Sequence, residues 1–333
     1  ILIGVIYLIS YYYNLLFSGY YTVGLEPFGI VIRWFYFALM IYVFFNVLTS
    51  YRQVLIVLKS LLIGGVILLI YAWINWSEYK TFLNGIPVFS WIRNLNANTL
   101  GFYFNITLLI SFFFFLREKK KNMIYLFIAV LFFVSILMTQ SKASLLIALI
   151  TILLYSFRSG FVMFLALPIV GLLLYSIQDL ILLRIEGSSA SNNDRMSLIE
   201  HAFYMVQQSP ILGIGPKGYS LFFSDMQTSD AHNAYFNIAA EAGVFASALF
   251  LLLYFLVLFK LHKNSPRINK DLYTLLTVFI VTFLLYGNVT GLIYSDKVPW
   301  LILSISIAAI YKYIDFPDKS MMSRNRKVIN PSS

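Results

Sequence analysis

The sequence predicts an all-α protein that crosses a membrane many times. Three observations predict it. Of its 333 residues, 60% are hydrophobic and 11% are charged, against roughly 45–50% and 25% in a soluble domain. The apolar residues fall into runs near the length of one helical crossing, about 20 residues. The runs are rich in Phe, Leu and Ile and lack the alternation of a membrane β-barrel. One water-soluble core cannot hide this much apolar surface.

The runs lie at about residues 1–17, 28–48, 54–75, 99–116, 123–138, 143–157, 161–180, 234–259, 271–290 and 298–314. They give about ten transmembrane helices, the first and sixth short. The first opens at Ile1 with no Met and no basic flank, and reads as a truncated span rather than a signal peptide. Pro168 inside the seventh run is expected to kink it. No internal repeat is visible. The expected organisation is N-terminal transmembrane helices over 1–180, a long outer loop over 181–233, C-terminal transmembrane helices over 234–314 and a tail over 315–333.

Lys and Arg fix the orientation. Basic clusters fall at 117–121, at Arg158, between Lys260 and Lys270, and from Lys312 through the tail. Each is an even number of spans from the others, so one topology places all of them, and both chain ends, in the cytoplasm. Eight of the 24 Lys and Arg residues remain on the outer side: Arg33, Lys80, Arg93, Lys142, Arg184, Arg195, Lys217 and Lys297. The net charge of +10 is therefore the signature of membrane topology and not of a nucleic-acid partner. The absence of cysteine removes disulfide scaffolds, thiolate metal sites and cysteine nucleophiles, and three histidines argue against a histidine-rich metal centre.

The outer loop carries most of the candidate chemistry. A polar stretch, Ser188 to Asp194, precedes a helix expected from Arg195 and capped by Asn192, Asn193 or Asp194. Met196, Ile199, Phe203 and Val206 form an apolar stripe on it, fitting a helix on the membrane surface or on the bundle mouth. Ser209 to Tyr219, reading Ser-Pro-Ile-Leu-Gly-Ile-Gly-Pro-Lys-Gly-Tyr, permits close backbone approach. Its N–H groups suit an anion-binding nest or a plain turn. Lys217 is followed by Gly218, which excludes a Walker loop.

Asn233, Asn237 and Glu241 then repeat every four residues, a polar stripe leading into a span. Polar groups in such places are costly and tend to be functional. His232 stands at the start of that helix, where the dipole disfavours imidazolium and keeps a neutral, base-competent ring. Lys142, in Thr139-Gln140-Ser141-Lys142-Ala143-Ser144, and Arg33, about 8 Å inside the second span, are either anion contacts or snorkelling cations. Arg93 precedes three amides, Asn94, Asn96 and Asn98, whose other reading is caps and turns. No paired carboxylates stand out as a metal site, although Asp225 and Asp230 lie near His232. Isolated cations, one base and a flexible loop on one face suit a bulky anionic amphiphile, its tail between helices and its phosphates on the arginines.

These residues resemble the O-antigen ligase/polymerase family. The likeness rests on Arg195 with its helix, Ser209 to Pro216, Ala231-His232-Asn233-Ala234-Tyr235, and Glu241-Ala242-Gly243 before a span. Thr139 to Ala143 resembles the family's upstream Ser-Arg-Gly motif, departing from it at Lys142 and Ala143. Asn94 to Gly101 resembles its Asn-x-Asn-x-x-Gly segment, with Leu95 and Ala97 at less typical positions.

The resemblance implies a GT-C-like helical membrane glycosyltransferase in the bacterial cytoplasmic membrane, with its site on the outer, periplasmic side. The implied donor is an undecaprenyl pyrophosphate-linked oligosaccharide. His232 would activate the acceptor hydroxyl, and Arg195 with Arg184 would hold the pyrophosphate. No cofactor or metal is implied. Arg33, Arg93, Lys142, Lys217, Asn233, Asn237 and Glu241 are the further expected contacts to pyrophosphate or glycan. The first expectation is polymerisation of lipid-linked repeat units into O-antigen or capsular polysaccharide, with a chain-length regulator as a further partner. The alternatives are a ligase, delivering the finished glycan to lipid A core or a protein, and a lipid-linked glycan transporter without chemistry. Against the transporter stand the missing repeat and polar groups gathered on one face.

Overall fold

The computed structural model describes residues 1–17, 25–83, 86–89, 91–92, 95–118, 122–139, 141–156, 188–219, 231–288, 290 and 296–312. Helices dominate. In the N-terminal half these are α1 (Leu2–Phe17), α2 (Leu25–Val47), α3 (Tyr51–Ile74), the single turn α4 (Trp76–Tyr79), α5 (Ala97–Arg117), α6 (Asn122–Thr139) and α7 (Lys142–Ser156). Further on come α8 (Ser188–Gln208), α9 (Ala234–Ala242), α10 (Val244–Lys263), α11 (Lys270–Tyr286) and α12 (Lys297–Tyr311). Each expected apolar run coincides with helix except 161–180, which, with Pro168, lies outside the described residues. Among the described residues, four helices are long and apolar enough to cross a membrane: Pro27–Val47, Tyr51–Ile74, Ala97–Arg117 and Val244–Lys263.

The outer segment 76–98 departs from the all-α expectation. It contains two antiparallel ribbons, β1 (Lys80–Leu83) with β2 (Ile86–Phe89), and β3 (Trp91–Ile92) with β4 (Leu95–Asn96). In sequence, Asn84-Gly85 separates the first pair, the dipeptide that most favours a two-residue hairpin. Phe89 anchors that ribbon, buried edge-on against Trp73 and Trp76 with centroids 5.5 and 4.5 Å away.

α5 is the central helix, packed by α3, α6, α7 and α11. It is apolar all round, as a fully enclosed helix must be, and Phe104 and Ile106 through Phe114 are buried. Its buried hydroxyls bond back to its own carbonyls, Thr107 to Tyr103 at 2.9 Å and Ser111 to Thr107 at 2.7 Å, because no water is there to take them. At Gly101 a Cβ would lie 2.0 Å from Ser144 Oγ. The missing side chain is what lets α5 and α7 touch.

One end of the bundle is basic. Arg117 lies over the Tyr51 ring, Lys59 pairs with Glu118 at 2.8 Å, Lys312 donates to the Asn46 carbonyl at 3.2 Å, and Lys260 meets the Tyr311 hydroxyl. α3 starts at this end with a capping box, in which Ser50 and Gln53 each satisfy the other's backbone N–H. The motif-bearing segments gather at the opposite end.

Candidate functional site

The expected single helix over 234–259 is two helices, broken at Gly243. Its φ of +87° and ψ of 165° belong to a region that is essentially reserved for glycine. The break leaves the last carbonyls of α9 without helical donors, and the loop after α8 supplies them. Ile214 N donates to Ala240 O at 2.8 Å and Gly215 N to Glu241 O at 3.0 Å, while Val244 N at the start of α10 donates to Pro210 O at 2.9 Å. A Cβ on Gly213 would lie 2.4 Å from Ala242 N, and one on Gly243 2.0 Å from Ile211 O. The close approach read from these glycines is real: loop and helix break are pressed backbone to backbone.

A carboxylate of the protein itself sits against the loop that the sequence offers as a nest or a plain turn. Lys217 N donates to Glu241 Oε1 at 2.9 Å, and Tyr7 of α1 donates to Glu241 Oε2 at 3.1 Å. Glu241 is 1% exposed. Two more residues of α1 reach the same junction: Ser10 donates to Glu241 O at 2.9 Å and Asn14 to Gly213 O at 3.1 Å.

α9 starts at a second junction. Ala234 N donates to Gly287 O at 2.7 Å, just past the end of α11, and Tyr235 donates to Leu284 O at 2.6 Å. Asn233 is the N-cap, its side chain accepting from Tyr235 N and Phe236 N. Asn237 is buried and accepts from Ala231 N at 3.4 Å. His232 stands between buried Ala231 and Asn233, itself partly exposed. Its φ is +48°, and Lys217 has φ +58°; among the described residues these two are the non-glycine positions with positive φ. Histidine visits that region more readily than most residues, yet backbone held there is characteristic of functional sites.

Next to Gly287 lies Tyr286, which begins a polar file toward the earlier motifs. Tyr286 donates to Ser144 Oγ at 2.6 Å and accepts from Asn105 at 3.0 Å. Ser144 bonds Ser141 at 2.8 Å, and Ser141 donates to Asn98 Oδ1 at 2.8 Å. The segment 94–101, the segment 139–144 and the His232 segment are thus linked at one end of the bundle by side chains from α5, α7 and α11. Beside them, Tyr103 hydrogen-bonds Asp296, whose carboxyl burial pushes up to about 6, with the Tyr103 hydroxyl opposing the shift.

α8 differs from its expected form in two ways. It begins at Ser188, so Asn192 to Asp194 lie inside it and do not cap it. Nothing between Gly187 and Arg195 breaks a helix, which therefore extends back to the glycine. The face packed on α9 is Leu198, Ala202 and Met205, meeting Ala231, Ala240 and Tyr219, whereas Met196 and Phe203 of the expected stripe are exposed. The helix is apolar on both sides, and Ala202 allows the closer approach.

Of the remaining expected residues, Lys142 opens α7 beside the Ser141–Asn98 bond and is exposed, and Arg33 is exposed on α2. Arg195 lies in α8, with its side chain outside what the structure describes. Arg93, Arg184, Asp225 and Asp230 lie outside the described residues. Sequence reading missed Tyr7, Ser10 and Asn14, although their spacing of three and four inside an apolar run is the signal that singled out the stripe on α9. Asp296 was missed as an isolated acid.

The chain is a helical membrane protein with polar, hydrogen-bonded junctions collected at the end of the bundle opposite its basic cluster. The model of the O-antigen ligase family matches residues 88–251, so this part of the chain is similar to that family. No curated protein matches the chain. The matched stretch contains the Asn98, Ser141, His232 and Glu241 segments and excludes α1, α2, α3, α4, α11 and α12.

Proposed function

We propose that the chain is a metal-independent glycosyltransferase of about ten membrane spans with a GT-C-like arrangement. It polymerises undecaprenyl pyrophosphate-linked repeat units at the outer face of the bacterial cytoplasmic membrane. The observation that carries this reading is His232, held in left-handed backbone one residue before the N-cap of α9, beside the junction with α11 and at the end of the bundle opposite the basic one. The positive-inside rule makes that end the outer one.

In this reading the acceptor hydroxyl oxygen bonds to the anomeric carbon of the donor sugar as the bond from that carbon to the pyrophosphate oxygen breaks. His232 takes the hydroxyl proton. Arg195, with Arg184, Arg93 and Lys217 as further cations, stabilises charge growing on the departing lipid pyrophosphate. Guanidinium suits this because it bonds phosphate oxygens in pairs. Attack from the face opposite the leaving group inverts the anomeric centre. Asn233 and Asn237 hold the start of α9, and Lys142 and Arg33 bind the anionic lipid headgroup region. The loop over 181–233 is the catalytic segment, and the spans around it hold the lipid tail.

The second reading, a ligase delivering the finished glycan to lipid A core or a protein, is favoured by the description of the matched family. The purified protein in nanodiscs with one lipid-pyrophosphate-linked repeat unit separates the two. A ladder of longer lipid-linked glycans supports polymerisation. Transfer only after lipid A core or a protein acceptor is added supports ligation. No product under either condition contradicts both.

A further inference from the structure

Glu241 accepts hydrogen bonds at three oxygens from four donors. Its carbonyl takes Ser10 Oγ and Gly215 N, Oε2 takes Tyr7 and Oε1 takes Lys217 N. Asn14 adds a bond to Gly213 O. Tyr7, Ser10 and Asn14 lie on one face of α1, are all buried, and fall outside the residues the family model matches. Asn14 bonds the 209–218 loop directly, and Tyr7 and Ser10 reach it through Glu241.

The backbone shows what this hold has to maintain. Lys217 sits at φ +58°, which a lysine does not adopt on its own terms. The oxygen that receives its N–H in that conformation is Glu241 Oε1. Glu241 lies on α9 nine positions after His232 and four after Asn237, so the residue that fixes Lys217 rides on the helix whose N-cap directly follows His232.

We infer that Glu241 is a positioning residue. Clamped by Tyr7, it fixes the 209–218 loop and its left-handed Lys217 against α9, and so sets the loop's distance from His232. The inference rests on the reaction proposed above, in which Lys217 faces the pyrophosphate, and it assigns α1 a part in the site.

The chain has no cysteine, so a thiol introduced by Ile211→Cys at the exposed loop tip carries the sole nitroxide label. With Glu241 unchanged the label is expected to report a rigid loop. Glu241→Gln keeps an acceptor for Lys217 N and a partner for Tyr7, and is expected to stay rigid. Glu241→Ala and the milder Tyr7→Phe are expected to loosen it. Turnover per bound donor, measured without the label, is expected to fall about tenfold in Tyr7→Phe, the loss of one buried hydrogen bond, and further in Glu241→Ala. Donor KM should change less than about threefold, and Glu241→Gln should restore most of the turnover. A rigid label in Glu241→Ala, a mobile label with undiminished turnover, or a Gln variant as impaired as the Ala variant each overturn the inference. If the unsubstituted protein turns over no lipid-linked glycan, the reaction reading fails, and the label alone then decides the clamp.

Discussion

The hydroxyl of Tyr7 donates to the carboxylate of Glu241 across 3.1 Å, joining positions 234 residues apart. Around that bond the first helix, the 209–218 loop and the break between α9 and α10 form one hydrogen-bonded unit. The break is a built feature, because its orphaned carbonyls have dedicated donors in the loop.

The break depends on glycine. Gly243→Ala places a Cβ 2.0 Å from Ile211 O at a backbone angle other residues rarely adopt. It should destabilise the protein by at least about 2 kcal/mol, and Gly213→Ala should act similarly. Gly64→Ala on α3 meets nothing within 4 Å and should stay within about 1 kcal/mol of the parent. Thermal unfolding in detergent compares the three; equal melting temperatures would show that the loop does not press on the break.

Tyr286→Phe removes the hydroxyl that bridges Asn105 and Ser144, while Asn105 keeps its bonds to Gly101 O and Ser144 O and Ser144 keeps Ser141. A loss of about 1–3 kcal/mol is expected, with lower turnover because α11 ends where α9 begins. An unchanged midpoint and unchanged turnover would separate the polar file from the site.

Asp296 supplies a pH test. Its carboxyl is raised to about 6 from an ordinary 3.8, so the folded state binds more protons than the unfolded one between those values. Stability contributed by its neutral form is full below about 4 and is lost as pH rises through about 6. Relative to Asp296→Asn, the parent should lose on the order of 2–3 kcal/mol between pH 4 and 7. A flat difference between the two melting curves over that range would contradict the burial of this acid.

Arg195→Lys keeps the charge of α8 but not the paired donors. Turnover should fall at least about tenfold with membrane insertion intact. Parent-like turnover would remove Arg195 from the reaction.

The helices under the apolar runs were legible because their signal is collective, and four of those described are long and apolar enough to cross a membrane. The gathering of Asn98, Ser141 and His232 at one end also followed from the expected topology, which puts all three beside span ends on the same side. What escaped depends on backbone detail. Gly243 sits inside a run read as one helix over 234–259, and its positive φ becomes evident once the loop has a place to dock. The packing face of α8 turned on Ala202, whose small size matters only against Ala240. The ribbon at 80–89 had a local signal in Asn84-Gly85 that its length hid. Tyr7, Ser10 and Asn14 had a readable spacing, but their partner lies at the far end of the chain.

The central claim is that His232 carries the proton transfer at an outer-end site for lipid-linked glycan. Its most direct test is single-turnover release of lipid pyrophosphate in nanodiscs, with donor binding measured on the same preparation, for the parent and His232→Ala. The account predicts donor affinity within about twofold and a rate lower by at least about 100-fold, the range of a lost general base. Release at the parent rate by His232→Ala would contradict it.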